Sequence, residues 1–437
     1  MLPKIARILL GVVLAVATVT GVCLLGVATT MGASYANPAY AVPDGGWPEP
    51  ARVPSGRVVV AVVAGASGSV VTDVLAPYEV FARSGRFFVY TVSARREPVV
   101  LSGGLRMLPD HGLADAPPPD VVVVPAVVDP VGEREAGLRA WIGTQARRGA
   151  RVLGVCVGSE LAAASGVLDG RRATSHWAVL GSLRSGYPGT RWVEGERYVE
   201  DGPVITTAGV TSGVAGALRM VELLAGGAEA ERVGREVGYP GWRLGGPTAI
   251  PKQSLGLADL PYALNAAFPW FSPAIGIGLT PGVGEIDAAT AFEVYAGSSF
   301  AARTVAFGMK PVVTTRHGVT LLTEPVAPVS RLIVPGVRHA DLDSGFAAAE
   351  TPQDTGKREF GADPLLRDLA RNADQATARA TAKFAEYPAG HLTLTGPAWP
   401  WRPTGLLALT LVLATAVAFV PLIITRAWRS RLRTPAG

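Results

Sequence analysis

The sequence predicts an α/β fold, a three-layer sandwich around a mostly parallel sheet, with a transmembrane helix at each end. Three observations predict it. Strand-like runs that are apolar on both faces alternate with helical stretches from residue 57 onward, the signature of buried parallel strands with crossover helices. A β-branched run ends in "VCVG" (155–158), and an alanine-rich helix begins at once. Two uncharged apolar runs are each long enough to cross a bilayer, "ILLGVVLAVATVTGVCLLGVATTM" (8–31) and "TGLLALTLVLATAVAFVPLII" (404–424).

Taken in order, residues 1–33 are the first anchor. Lys4 and Arg7 precede its apolar run, and Arg426, Arg429, Arg431 and Arg433 follow the second. The positive-inside rule puts both termini in the cytoplasm and the body between them outside, in the extracytoplasmic space. Ala39-Tyr40-Ala41 resembles a cleavage site, but the apolar core is long for a signal peptide, so the expectation is an uncleaved anchor. Pro421 falls near the end of the second run, where a kink is tolerated. The expected spans are an anchor at 404–425 and a basic tail at 426–437, with Trp399 and Trp401 as an outer aromatic belt. Those six flanking basic residues outweigh the net charge of +5. No basic stripe remains for nucleic acid.

Residues 34–56 are rich in Pro, Gly and Ala and read as a linker. The first domain spans 57–239: strand "RVVVAVVAG", helix "TDVLAPYEVFARSG", strands "RFFVYTVSA" and "PDVVVVPAVVD", helix "REAGLRAWIGTQARRGA", and central strand "RVLGVCVG". "DGPVITTAGVTSGVAGALRMVELLAG" closes it with a strand, a Gly-rich turn and a helix.

After a Pro/Gly-rich connector (240–271) the pattern returns over 272–390. Glu79-Val80-Phe81 aligns with Glu293-Val294-Tyr295, and Asp73 aligns with Asp287 at the same offset. "VVVVPA" (121–126) reappears as "RLIVPG" (331–336). The expectation is a truncated internal repeat without a cysteine corner, closed by one helix over 363–387 packed on its own sheet.

Cys156 stands where helix N-terminal N–H groups favour an anion, so its thiol is expected to ionise readily. Gly158 leaves room for the turn. Asp73, in the first strand-to-helix loop, is placed to meet the sulfur at the carboxyl ends of the strands, or simply to cap its helix. The backbone N–H groups of Val127 and Val157 are candidates for an oxyanion pocket.

At these residues the chain resembles the ThiJ/PfpI family of the class I glutamine amidotransferase-like superfamily, with its flavodoxin-like sandwich. "VCVGSELAAASGVLDGRRATSHWA" resembles its branch of isonitrile hydratase-like enzymes and regulator sensory halves; "TDVLAPYEVF" resembles the family's helix opening. The resemblance implies Cys156 as nucleophile, Asp73 as the acid beside it and His176 as a polar neighbour. It implies a cysteine-dependent hydrolase or lyase acting on a small electrophilic substrate, or a degenerate binding, sensory or scaffolding module. The pattern departs at Val157, where Thr or His is usual, at Ala126-Val127 in place of Gly-Gly, and at Ala215 in place of an acid.

Only two cysteines occur, and Cys23 lies inside the first membrane segment, so no intramolecular disulfide with Cys156 is expected. The other histidines have no ligand spacing, so neither metal nor cofactor is expected. The expected partners are membrane lipid and a small-molecule ligand. Self-association fits the resemblance, but no interface is legible.

Overall fold

The computed structural model describes residues 4–431 apart from 326, 327 and 358. The extreme ends of the first anchor (1–3) and of the basic tail (432–437) lie outside the described residues, Arg433 among them.

In chain order, helix α1 (Lys4–Ser34) leads through the linker to β1 (Val58–Val63), α2 (Val71–Ala82) and β2 (Phe87–Ser93). A hairpin follows, β3 (Val99–Leu101) and β4 (Leu105–Leu108), then β5 (His111–Gly112), β6 (Val121–Val124) and α3 (Ala136–Arg147). Next come β7 (Arg151–Gly154), α4 (Gly158–Ala164), β8 (Arg172–Ala173), α5 (Leu180–Gly186) and β9 (Arg191–Trp192). Strands β10 (Tyr198–Asp201) and β11 (Val204–Thr207) precede α6 (Ser212–Ala225) and α7 (Gly227–Val237). The main sheet runs β10-β11-β7-β6-β1-β2-β5, parallel except for β10.

Its strands are apolar on both faces because each face is covered. Val60 and Val62 pack into one core with α2 and α6, whereas Val59, Ala61 and Val63 pack with Leu138 and Ile142 of α3 and Leu161 of α4. That is the three-layer sandwich.

The connector carries α8 (Leu260–Ala267). A second unit follows: β12 (Ala274–Gly278), α9 (Glu285–Phe292), β13 (Arg303–Phe307), the hairpin β14 (Val312–Thr314) and β15 (Thr320–Leu322), and β16 (Arg331–Ile333). Its parallel sheet is β13-β12-β16. Where the first unit has β7 beside β6, the second has a single parallel bridge from Ile333 to Glu350.

The expected single helix at 363–387 is two, α10 (Ala362–Asn372) and α11 (Gln375–Phe384). The break comes at Asp374, whose extended backbone (φ −167°) and carboxylate, accepting the Thr377 N–H at 2.6 Å, start a new helix. Nor does this segment lie only on its own sheet. Helix α10 packs on α9, while α11 packs on α8 and ends against the first unit.

The two units meet through matching elements. Helix α2 packs on α9, and β4 pairs with β15 so that the hairpins form one sheet, β14-β15-β4-β3. The helix contact is reciprocal. Thr72 Oγ1 donates to Glu293 Oε2 at 3.1 Å, and the N–H of Ile286, which aligns with Thr72, donates to Glu79 Oε2 at 2.6 Å. Each helix start is thus satisfied by the other unit's buried carboxylate.

The last helix, α12 (Trp401–Arg431), runs ten residues past Pro421. It lies antiparallel along α1: Gly11 approaches so closely that a Cβ there would stand 2.4 Å from the Ala418 carbonyl oxygen. Their other ends both rest on the connector, where Thr30 Oγ1 donates to the Ala266 carbonyl and Arg402 to that of Trp270. Both helices are long and apolar enough to span a membrane.

Candidate functional site

Strand β7 delivers Cys156 to the carboxyl edge of the sheet, and the chain turns sharply there. Cys156 adopts φ +55°, a left-handed conformation costly for a residue with a Cβ. The turn is fixed on all sides. The Cys156 N–H donates to Thr207 Oγ1, and its carbonyl accepts from Ser159 Oγ and Ser175 Oγ, both at 3.0 Å. Gly158 is required, because a Cβ there would stand 2.0 Å from the Val124 carbonyl oxygen.

Asp73 comes to the same place from α2. It does not cap that helix; its Oδ2 accepts the Ala126 N–H at 3.0 Å, and its Oδ1 is buried without a partner. Burial raises its pKa well above the usual carboxylate range, the Ala126 N–H opposing and Glu293 adding to the rise. Burial thus favours its protonated form.

The readily ionised thiol expected from the corner is not what forms. Burial pushes the Cys156 pKa well up, Asp73 pushes it further, and Glu386 and Glu293 act the same way. Only the Val157 N–H pulls it down. Three carboxyl groups and a dry setting outweigh one helix terminus. Of the two N–H groups expected to form an oxyanion pocket, Val157 faces the sulfur, while Val127 packs its side chain into the opposite layer with α3 and α4. The neighbouring Ala126 N–H is already taken by Asp73.

His176 serves the wall of the site. Its Nδ1 accepts the Ala178 N–H, so its Nε2–H donates to the Phe384 carbonyl at 2.9 Å, and burial lowers its pKa. With both ring nitrogens engaged, it holds the end of α11 in place and does not reach out as a base.

The groups that sequence reasoning missed all come from outside the first unit. Residues 383–387 form a plug over the thiol. Phe384 stacks on Tyr262 of α8 with ring centroids 3.8 Å apart. The Ala385 carbonyl accepts the Thr211 N–H, Glu386 Oε2 accepts the Gly209 N–H at 2.7 Å, and Tyr387 donates to Asp363. Glu386 is itself strained, at φ +48°, and burial raises its pKa to about 7. Tyr35, just after α1, closes another side; its charge neighbours are Glu293, Asp73 and Tyr262. His176 and Phe384 lie 208 residues apart in sequence, and no local pattern announces such a contact.

Cys156 is accordingly 4% exposed, and it lines neither the cavity of about 400 Å³ nor that of about 240 Å³. Among the described residues no group of three His, Cys, Asp or Glu side chains is placed to hold a metal.

Comparison with known proteins matches residues 57–223 to the DJ-1/PfpI family. The chain is 35% identical over 184 residues to isonitrile hydratase from Pseudomonas putida, covering 41% of this chain and 79% of that protein. It is 34% identical over 125 residues to the HTH-type transcriptional regulator CdhR from Pseudomonas aeruginosa, covering 29% of this chain and 37% of the regulator. A ThiJ/PfpI family protein from Pseudomonas syringae superposes with a TM-score of 0.39 at 27% identity, covering 45% of this chain and 82% of that structure.

Proposed function

The chain belongs to the DJ-1/PfpI family, and from that premise we propose that it is a membrane-anchored, extracytoplasmic binding or scaffolding module whose cysteine corner is retained but closed. The sealing of Cys156 by residues 383–387 carries this reading. A nucleophile needs a route to substrate and some thiolate at working pH, and the plug, the burial and the three nearby carboxyl groups oppose both. On this reading the second unit is a truncated copy of the first, whose role is to cover the site its partner kept. The antiparallel anchors and their basic flanks favour both termini in the cytoplasm and the body outside.

One observation favours a second reading, a cysteine-dependent hydrolase or lyase like the isonitrile hydratase relative. Asp73 Oδ1 is a buried polar atom without a partner, next to a sulfur on a strained turn, and such groups mark sites awaiting a ligand. Withdrawal of the plug would expose a thiol with a neutral acid beside it, able to protonate a leaving atom while Val157 N–H steadies the developing charge.

Iodoacetamide alkylation of Cys156 in the full chain, followed from pH 6 to 10, separates the two. The closed module predicts rates at least about tenfold below a free thiol at every pH, rising when the plug is loosened by Phe384→Ala. A thiol that reacts well below pH 8 in the wild-type chain would overturn the closed module in favour of the enzyme.

A further inference from the structure

A cavity that Cys156 does not line lies between the first unit's sheet edge and the second unit's hairpin. It holds about 400 Å³, the size of a small-molecule site. On one side is a dyad. Glu285, at the start of α9, is fully buried, and its Oε2 stands 2.7 Å from His317 Nδ1. Its other oxygen, Oε1, accepts from Thr315 Oγ1 and the His317 N–H. Burial alone would raise the Glu285 pKa, but these hydrogen bonds and the imidazole hold it below the ordinary value.

A carboxylate fixed on Nδ1 sets the tautomer of the ring. The carboxylate engages Nδ1, which leaves Nε2 for another partner. His317 lines the cavity with its side chain partly exposed, and among the described residues none of its hydrogen bonds uses Nε2. The Tyr78 hydroxyl donates to the His317 carbonyl at 3.0 Å and fixes the loop that carries the ring. Glu285 aligns with Val71 of the first unit, so this dyad has no counterpart there.

Two cations face the same space. Arg57 and Arg96 line the cavity, and among the described residues neither has a carboxylate partner within ion-pair distance. Each gives one N–H to a backbone carbonyl, of Phe87 and Pro48 respectively, and a guanidinium carries five donors in all, so others remain for an anion. Glu49 and Asp110 also line the cavity, but Asp110 turns Oδ2 to the Thr91 N–H and hydroxyl. The edge of β2 at Phe88 and Tyr90 also lines the cavity, with the Tyr90 ring itself buried and its hydroxyl spent on the Pro117 carbonyl.

We infer that this cavity is a second small-molecule site, taking an organic hydroxycarboxylate whose anionic end meets Arg57 and Arg96 and whose hydroxyl hydrogen-bonds His317 Nε2. It does not depend on whether Cys156 is active.

The test uses 4-hydroxybenzoate as probe and the full chain in lipid nanodiscs, with empty nanodiscs as blank, read by saturation-transfer NMR. The expected result is saturable binding at millimolar probe or below, weakened about tenfold or more in both Arg96→Met and His317→Asn and unchanged in Cys156→Ser. As a check independent of affinity, the probe should slow diethyl pyrocarbonate modification of His317 and leave that of the exposed His339 unchanged. Absence of binding, or binding that survives both substitutions, would overturn the proposal.

Discussion

Asp73 and Asp287 sit at corresponding points of the two strand–helix–strand units, and their surroundings differ. Asp73 takes the Ala126 N–H directly and leaves its second oxygen empty beside a sulfur. In the second unit the matching loop N–H, of Gly336, goes instead to Gln353 Oε1, and Gln353 Nε2 reaches on to Asp287 and to the Gly361 carbonyl. Arg83 and Arg316 lie near enough to draw the Asp287 pKa down against its burial, and it settles at about 7. No cation is among the influences on Asp73. A position that holds a reactive group in one unit is filled by an amide in the other, and the cost of burying the acid is met in two ways. The lesson is that a carboxylate's place in a fold fixes where it sits, while the neighbours it acquires decide whether it can do chemistry.

The largest effect expected from that contrast is on the pH dependence of stability. The Asp287 pKa is about 7 folded, against 3.8 as its ordinary value. Between these values the unfolded chain has lost the proton that the folded chain keeps, so stability falls as pH rises through this window. The full penalty, at most about 4 kcal/mol, is in place above pH 7 and absent below about pH 4. Asp287→Asn keeps an oxygen to accept from Gln353 and removes the titration. Thermal unfolding of the full chain should show this variant equal to wild type near pH 4 and markedly more stable at pH 8. A constant difference across that range would mean that Asp287 does not hold its proton.

Next in size is the reciprocal pair at the α2–α9 contact. Glu79 accepts from Ile286 and also holds Arg83 at 2.5 Å, whereas Glu293 accepts from Thr72 and Ser298 with no cation beside it. Burial accordingly raises the Glu293 pKa. A neutral amide should therefore serve in place of Glu293 but not of Glu79. Glu79→Gln removes the closer of the two carboxylates that hold the mostly buried Arg83, Glu236 remaining at 3.7 Å, and should cost about 2–3 kcal/mol, whereas Glu293→Gln should cost less than about 1 kcal/mol. Equal losses in the two variants, measured as Tm shifts in one detergent, would break the comparison.

How much of this was legible in the sequence differs by region for a physical reason. Doubly apolar runs such as Val58–Val63 report burial on both faces, so the mostly parallel, covered sheet followed from the pattern. The corner itself was legible, because a β-branched run, a small residue and Gly158 leave few other backbone paths. The state of the thiol was not. Helix-terminus chemistry is local, whereas the dielectric at Cys156 is set by Tyr35, Tyr262 and Phe384, brought in from three distant segments. The break at Asp374 was written in the sequence as an N-cap residue and was obscured by the apolar spacing that runs through it.

The smallest effect concerns the residue after the proline in the two matching loops, Ala126 in one and Gly336 in the other. Gly336 has φ +70°, and a Cβ added there would stand 2.6 Å from Asp287 Oδ2, a heavy-atom clash with a buried acid. Gly336→Ala must meet both the left-handed strain and that contact, so a loss of about 2 kcal/mol is expected. Ala126 has a backbone that any residue adopts, and its methyl group is buried. Ala126→Gly should cost less than about 1 kcal/mol, mainly through added freedom in the unfolded chain. Its N–H would still reach Asp73. The informative measurement is the double variant Asp287→Asn with Gly336→Ala. An amide at 287 is no smaller than the acid, so a clash predicts no rescue. Recovery of more than about half the loss would show that charge, and not space, reserves that position for glycine.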